Sequence, residues 1–233
     1  GLLRGLFQKK IENQLICKEC YGTVDLPVEV ECNMTLNQFR QYIAFRDQNQ
    51  KLKDVFQVTR QVDFGVFEDK IVFDNYRGLM CMNKDLSTTV FEAKDIKSFR
   101  IKEDEKTIFA GSPEGLQTYE SSVPVQIQML QPQINTYLMQ KRRFEAETAC
   151  MNDEQRQKVQ HREPKFRAVD TFQKFKVEIR MEHPFWSVLT AELNAPDLNN
   201  ENPDTYAYMN AYNQSFGIMQ DLADALMELA FSR

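Results

Sequence analysis

Cys17-Lys-Glu-Cys20 carries the most specific chemistry in the chain. Two thiolates separated by two residues and closed by Gly22 form a knuckle, one half of a tetrahedral zinc site. A closed structural site needs four ligands. Cys32 offers a third, and His161 or His183 a distant fourth. The plainer alternative is a metal-free turn at Cys17 and Cys20. A redox role fits less well, because no βαβ pattern surrounds the pair. The other chemistry is thin. There are two histidines, and no H-E-x-x-H, G-x-S-x-G, P-loop or dinucleotide fingerprint. Acidic runs such as Lys102-Glu-Asp-Glu-Lys106 read as solvated turns. Lys141-Arg142-Arg143 is the one basic cluster; it reads as a solvated helix face offset by Glu145 and Glu147, with an anionic partner or lipid headgroup as the alternative. His183-Pro-Phe-Trp186 reads as a cap on the core at a strand end, with a recognition aromatic as the alternative.

Several elements must position these groups. Thr35 is the expected N-cap of a helix over TLNQFRQYIAFRDQNQKLK, in which Leu36, Phe39, Ile43 and Leu52 share a face, ending near Lys53. From Val55 to Phe109 short runs rich in Val, Ile and Phe alternate with turns at Glu68-Asp69 and Asn75-Tyr-Arg-Gly78, predicting four or five antiparallel strands. Residues 111 to 124 read as a loop. Residues 125 to 163 read as helix, with disorder as the alternative for NDEQRQKVQHRE. In FQKFKVEIRM, Phe175, Val177, Ile179 and Met181 share one face of a strand, and a second strand follows around Val188, Thr190 and Glu192. From Asp204 to about 231 the chain predicts a long helix with Met209, Tyr212, Phe216 and Met219 on one stripe. Its default place is over the open face of the sheet. The same stripe, with Lys141, Arg142 and Arg143, is the candidate interaction surface, for a protein partner or a second copy.

Composition narrows the classes. The chain has 233 residues, a net charge of −5 and 17 phenylalanines, which suits an aromatic core in a soluble protein. The acidity argues against nucleic acid, which needs clustered Lys and Arg. No run is long and apolar enough for a membrane span, and Gly1-Leu-Leu-Arg-Gly-Leu-Phe7 is too short for a signal core; its initial glycine is expected of a processed fragment. Five cysteines, an odd number at irregular spacing, point to a reducing, cytoplasmic setting.

Three stretches, GLLRGLFQKKIENQLICKECYGTV, MTLNQFRQYIAFRDQNQ and KFKVEIRMEHPFWSVLTAELN with the helix around IMQDLADALM, resemble an uncharacterised bacterial family. That family has an N-terminal, often truncated, zinc ribbon followed by a β-rich domain. Residues 113 to 163 fit it poorly and read as an insertion. The resemblance implies that Gly1-Leu2-Leu3 is the linker between two knuckles and that Cys17 and Cys20 are the second knuckle. The first would lie upstream of Gly1, so that zinc belongs to the longer native protein and none is expected in this chain. It also implies a pleckstrin-homology-like curled sheet closed by the C-terminal helix.

The expectation is an α+β chain: residues 1–33 a zinc-ribbon remnant, and 34–233 a linking helix and antiparallel β domain with a helical insertion at about 125–163 and a closing helix at about 204–231. Its expected function is a non-enzymatic binding or adaptor module with an unknown protein partner. The alternatives are lipid-headgroup binding, favoured by basic residues at one sheet edge around Arg77, Lys94 and Lys97, and an enzyme of unknown chemistry. Elemental analysis is expected to find one zinc in a chain extended upstream of Gly1 and none in the 233 residues alone; no zinc in either would leave Cys17 and Cys20 without a metal role.

Overall fold

The computed structural model describes residues 10–17, 22, 24, 26–64, 69–82, 89–167 and 172–232. It is an α+β chain of antiparallel sheets and helices. A two-residue hairpin, β1 (Lys10–Ile11) with β2 (Gln14–Leu15), is followed by a short helix α1 (Val28–Cys32) and the long helix α2 (Leu36–Val55). Thr35 and Gln38 start α2 with a reciprocal capping box, so the expected N-cap is present.

Among the described residues six strands begin between Val55 and Phe109, where four or five were expected, and a seventh follows. β3 (Arg60–Phe64), β4 (Asp69–Asp74), β5 (Leu79–Cys81) and β6 (Val90–Glu92) make a four-stranded antiparallel meander. β7 (Ile96–Glu103), β8 (Lys106–Ser112) and β9 (Gly115–Thr118) start a second sheet. The hairpin of β10 (Lys174–Met181) and β11 (Val188–Asn194) joins it beside β7, giving the order β11-β10-β7-β8-β9. The expected loop at 111–124 is therefore partly strand, since β8 turns at Pro113-Glu114 into β9. Gly111 makes this possible. It lies opposite Phe99, and a Cβ there would fall 2.1 Å from the phenylalanine ring. In β10 the expected alternation holds, with Phe175, Val177, Ile179 and Met181 buried.

Between β9 and β10 lie α3 (Val123–Thr148) and the short α4 (Asp153–Val159), which Asn152 and Gln155 start with a second capping box. The last helix, α5 (Thr205–Phe231), is capped by Asp204, whose carboxylate accepts from the backbone N–H of Tyr206 and Ala207. It packs across β3, β7, β8 and β9, and Leu222, Ala223, Ala225 and Leu226 are fully buried in a core shared by both sheets. Arg60 on β3 fixes its azimuth, with ion pairs to Asp221 (2.6 Å) and Glu228 (3.1 Å).

The run Lys102–Lys106 makes the expected turn at Asp104-Glu105, but Glu103 departs from the solvated place expected of it. Strand alternation carries Glu103 inward beside Phe99 and Ile101, where it is 4% exposed. Its carboxylate accepts from the Tyr212 hydroxyl (2.7 Å) and the Ser121 hydroxyl (2.8 and 2.9 Å). Burial pushes the Tyr212 phenol well above its ordinary value, and the adjacent Glu103 adds to the shift. Asp104, at the turn with φ 50°, accepts from the backbone N–H of Gln173 and Lys174 and so anchors the start of β10. Lys102 and Glu105 pair with Glu178 and Lys176 across the strands.

The outer face of the four-stranded sheet is also apolar. Val72, Leu79, Cys81 and Val90 form a separate buried cluster under Leu52 and Phe56 at the end of α2. There Asn49 is 3% exposed; its amide donates to the Val90 carbonyl (2.6 Å) and accepts from the Val90 N–H (3.1 Å). One side chain thus satisfies both backbone groups that edge strand β6 would otherwise offer to another strand. Asn49→Leu is expected to lower unfolding stability by about 2–4 kcal/mol, because two buried backbone groups lose their partners. Urea denaturation checks it, and a loss below about 0.5 kcal/mol would mean that water replaces the amide.

Candidate interaction surface

The sequence-predicted site residues do not converge. Cys17 is exposed and Cys20 lies outside the described residues, as do Gly1, Leu2 and Leu3. Cys32 is exposed at the end of α1, His161 is exposed beyond α4, and His183 lies between β10 and β11. Among the described residues no three His, Cys, Asp or Glu side chains come together in a way that could hold a metal ion.

The stripe expected on the C-terminal helix divides. Tyr212 (3% exposed) and Met219 (0%) belong to the core, so they are not an outward surface. Met209 and Phe216 are half-buried against that core, Phe216 with its ring 5.2 Å from that of Phe109. This helix closes the sheets, which is the default place expected of it. The basic cluster divides too. Lys141 donates to the Glu201 carbonyl (2.8 Å) and the Asn202 side chain (3.0 Å), while Tyr137 donates to the same carbonyl. Arg143 pairs with Glu147 at 2.9 Å, and Arg142 is exposed. A cavity of about 470 Å³ opens beside Lys141, lined also by Lys165, Arg167, Glu163 and Glu201, so its charge is mixed.

His183-Pro-Phe-Trp186 caps the core. Phe185 and Trp186 are buried against Tyr42 and Phe45 of α2 and Phe91 of β6. His183 sits edge-on to Phe45 (centroids 4.9 Å apart) and Phe91 (5.9 Å), and its Nδ1 accepts from the Phe185 N–H. Acceptance at Nδ1 fixes the neutral tautomer with its proton on Nε2. Burial lowers the His183 pKa, against the weaker opposing field of Glu92.

Sequence reasoning missed an exposed apolar stripe on α3. Val123, Ile127, Ile134 and Tyr137 are buried on one side of the helix, whereas Val125 (52%), Met129 (70%) and Met139 (69%) are exposed on the other. A signal was present: from Ser121 to Gln140 the chain carries no charge, although it has apolar residues on both helix faces. No helix among the described residues is long and apolar enough to cross a membrane. No family model matches the chain, and neither a curated protein nor a solved structure does.

Because His183 is held neutral, the unfolded chain binds its proton at a higher pH than the folded chain does. Stability from this site is complete above the ordinary histidine value of 6.5 and falls as pH drops through the lowered folded value. The melting temperature is expected to decline below pH 6.5, and His183→Gln to flatten that part of the profile. An unchanged slope in the variant would assign the decline to other groups.

Proposed function

We propose that this chain is a non-enzymatic protein-binding module, with α3 as its partner-facing element. The observation that carries the reading is the exposure of Val125, Met129 and Met139 on the charge-free part of a helix, up to Gln140, whose other face is already used by the core. Flexible methionines adapt to partner surfaces, and exposed apolar groups gathered on one helix face favour contact over solvation. The two buried carboxylates among the described residues are held by hydrogen-bond donors of the fold itself. Glu103 accepts from Tyr212 and Ser121, and Asp74 accepts from Gln57 and Arg77. Burial alone would raise the Asp74 carboxyl, but those hydrogen bonds and the Arg77 guanidinium outweigh it and hold the group below the ordinary carboxylate value. A histidine enclosed by aromatic rings likewise supports binding over catalysis.

As part of the same reading we infer a pleckstrin-homology-like frame, from four antiparallel strands in one sheet, β7, β8 and β9 within a five-stranded second sheet, and a C-terminal helix packed on both. The β10–β11 hairpin and the α3–α4 segment are additions to that frame. Lipid binding draws less support. The basic residues at the sheet edge each have an acidic partner, Arg77 with Asp74, Lys94 with Glu92 and Lys97 with Glu182. A zinc role for Cys17 and Cys20 would need two further ligands.

A photo-crosslinking residue at Met129 is expected to give a discrete protein adduct in cells, and one at Arg100, exposed on β7, to give none. Equal labelling from both positions, or flotation of the protein with anionic vesicles without adduct from Met129, would reject α3 as the partner-facing element.

A further inference from the structure

Five exposed residues of α3 are arranged symmetrically about Pro132. Val125, Met129, Pro132, Thr136 and Met139 are all exposed, and at 100° per residue they fall within a stripe roughly 80° wide. Val125 precedes Pro132 by as many residues as Met139 follows it, and Met129 and Thr136 flank it at nearly equal distances. A two-fold axis through Pro132 therefore sets Val125 of one copy against Met139 of another, and Met129 against Thr136. Self-complementarity of this kind is what an isologous contact requires.

The charges have the same symmetry. Arg143 lies in line with the stripe at its C-terminal end, and exposed Glu120 stands just before the helix; no charge lies between Ser121 and Gln140. The same axis brings Arg143 of one copy to Glu120 of the other. A parallel arrangement would set Arg143 against Arg143 and align two helix dipoles, whereas the antiparallel one opposes them. The pair Arg143 now makes with Glu147 is fully surface-exposed and exchanges at little cost.

Resting on the reading of α3 as the partner-facing element, we infer that its partner is a second copy of this chain, docked through an antiparallel α3–α3 contact centred on Pro132. A single helix stripe makes a small interface, so the dimer is weak, with a dissociation constant on the order of tens of micromolar. Lys141, held by the 201–202 loop, and the buried face of α3 stay as they are in one chain.

The test is sedimentation of the full 233-residue chain over about 1 to about 200 µM, a range that spans weak interfaces. A monomer–dimer equilibrium is expected, and Met129→Glu should raise the dissociation constant about tenfold or more while leaving circular dichroism and melting temperature unchanged, since the side chain is 70% exposed. Register is read by oxidation in a background with Cys17, Cys20, Cys32 and Cys150 replaced by serine and buried Cys81 retained. Pro132→Cys alone should form a disulfide-linked dimer. Val125→Cys alone should not, because its two copies would lie about 21 Å apart across the axis, but mixed with Met139→Cys it should. A monomer throughout, or equal cross-linking from Val125→Cys alone, overturns the inference. If a monomeric chain still gives an adduct with another protein from position 129, the second copy is wrong and α3 remains a binding helix; if position 129 gives no adduct, both readings fall.

Discussion

A buried carboxylate, Glu103, holds the ends of three elements in one place. It sits at the last residue of β7, the strand that pairs on one side with β8 and on the other with β10. Its two oxygens accept from Tyr212 on α5 and from Ser121, and Ser121 in turn accepts from the Val123 N–H at the first residue of α3. Leaving such a carboxylate inside without hydrogen bonds would cost several kcal/mol, so the hydroxyls are obligatory partners. The direction of α3 as it leaves the sheet and the height of α5 above it thus follow from one side chain. The adjacent Asp104 does the same for β10 through two backbone N–H groups.

The two long flanking helices work on opposite faces. α5 covers the inner faces of both sheets, and its alanines at 223 and 225 let the backbone approach closely. α2 covers the outer face of the four-stranded sheet with Leu52 and Phe56 and seals its edge with Asn49. At the other end of α2, Tyr42 and Phe45 join Phe185 and Trp186 from the β10–β11 connection, an aromatic seam between the sheets. The high phenylalanine content is used here and under α5, where rings meet edge-to-face and tilted rather than through one stacked column.

Elements with a strong period were legible from the residues. α5, β10 and α2 each show an unbroken helical or alternating pattern, and the Thr35 cap is a local signal. Elements whose logic is non-local were not. β9 is a four-residue strand, Gly-Leu-Gln-Thr, with no alternation of its own, and it exists because β8 offers an edge and Gly111 makes room under Phe99. Glu103 sits in a run of charges that reads as solvent-facing, and only the register of β7 turns it inward. Asn49 looks like one polar residue among many on α2; its partner is 41 residues away. Of the candidate site, the stripe on α5 has the core-closing place that its periodicity gives by default, and Tyr212 and Met219 are not open to the alternative partner, because periodicity gives a face and not what covers it.

That ambiguity explains why the exposed apolar face of α3 was overlooked, although the helix itself was expected. A helix in a single-layer role needs one apolar face, and a polar remainder enriched in charge keeps it soluble. α3 has a second apolar stripe and dilutes it with glutamine, asparagine and threonine in place of Lys and Glu. Uncharged polar residues can be desolvated at far lower cost than ions, since they lose hydrogen bonds that a partner can replace. A surface that only had to stay in water would gain from charges in these positions, through solubility and through i,i+4 pairs of the kind Arg143 and Glu147 form one turn later. The change from neutral to charged residues at Lys141 therefore marks where the helix stops being suited to burial and starts being suited to solvent, and its last buried residue, Tyr137, lies one turn before that point.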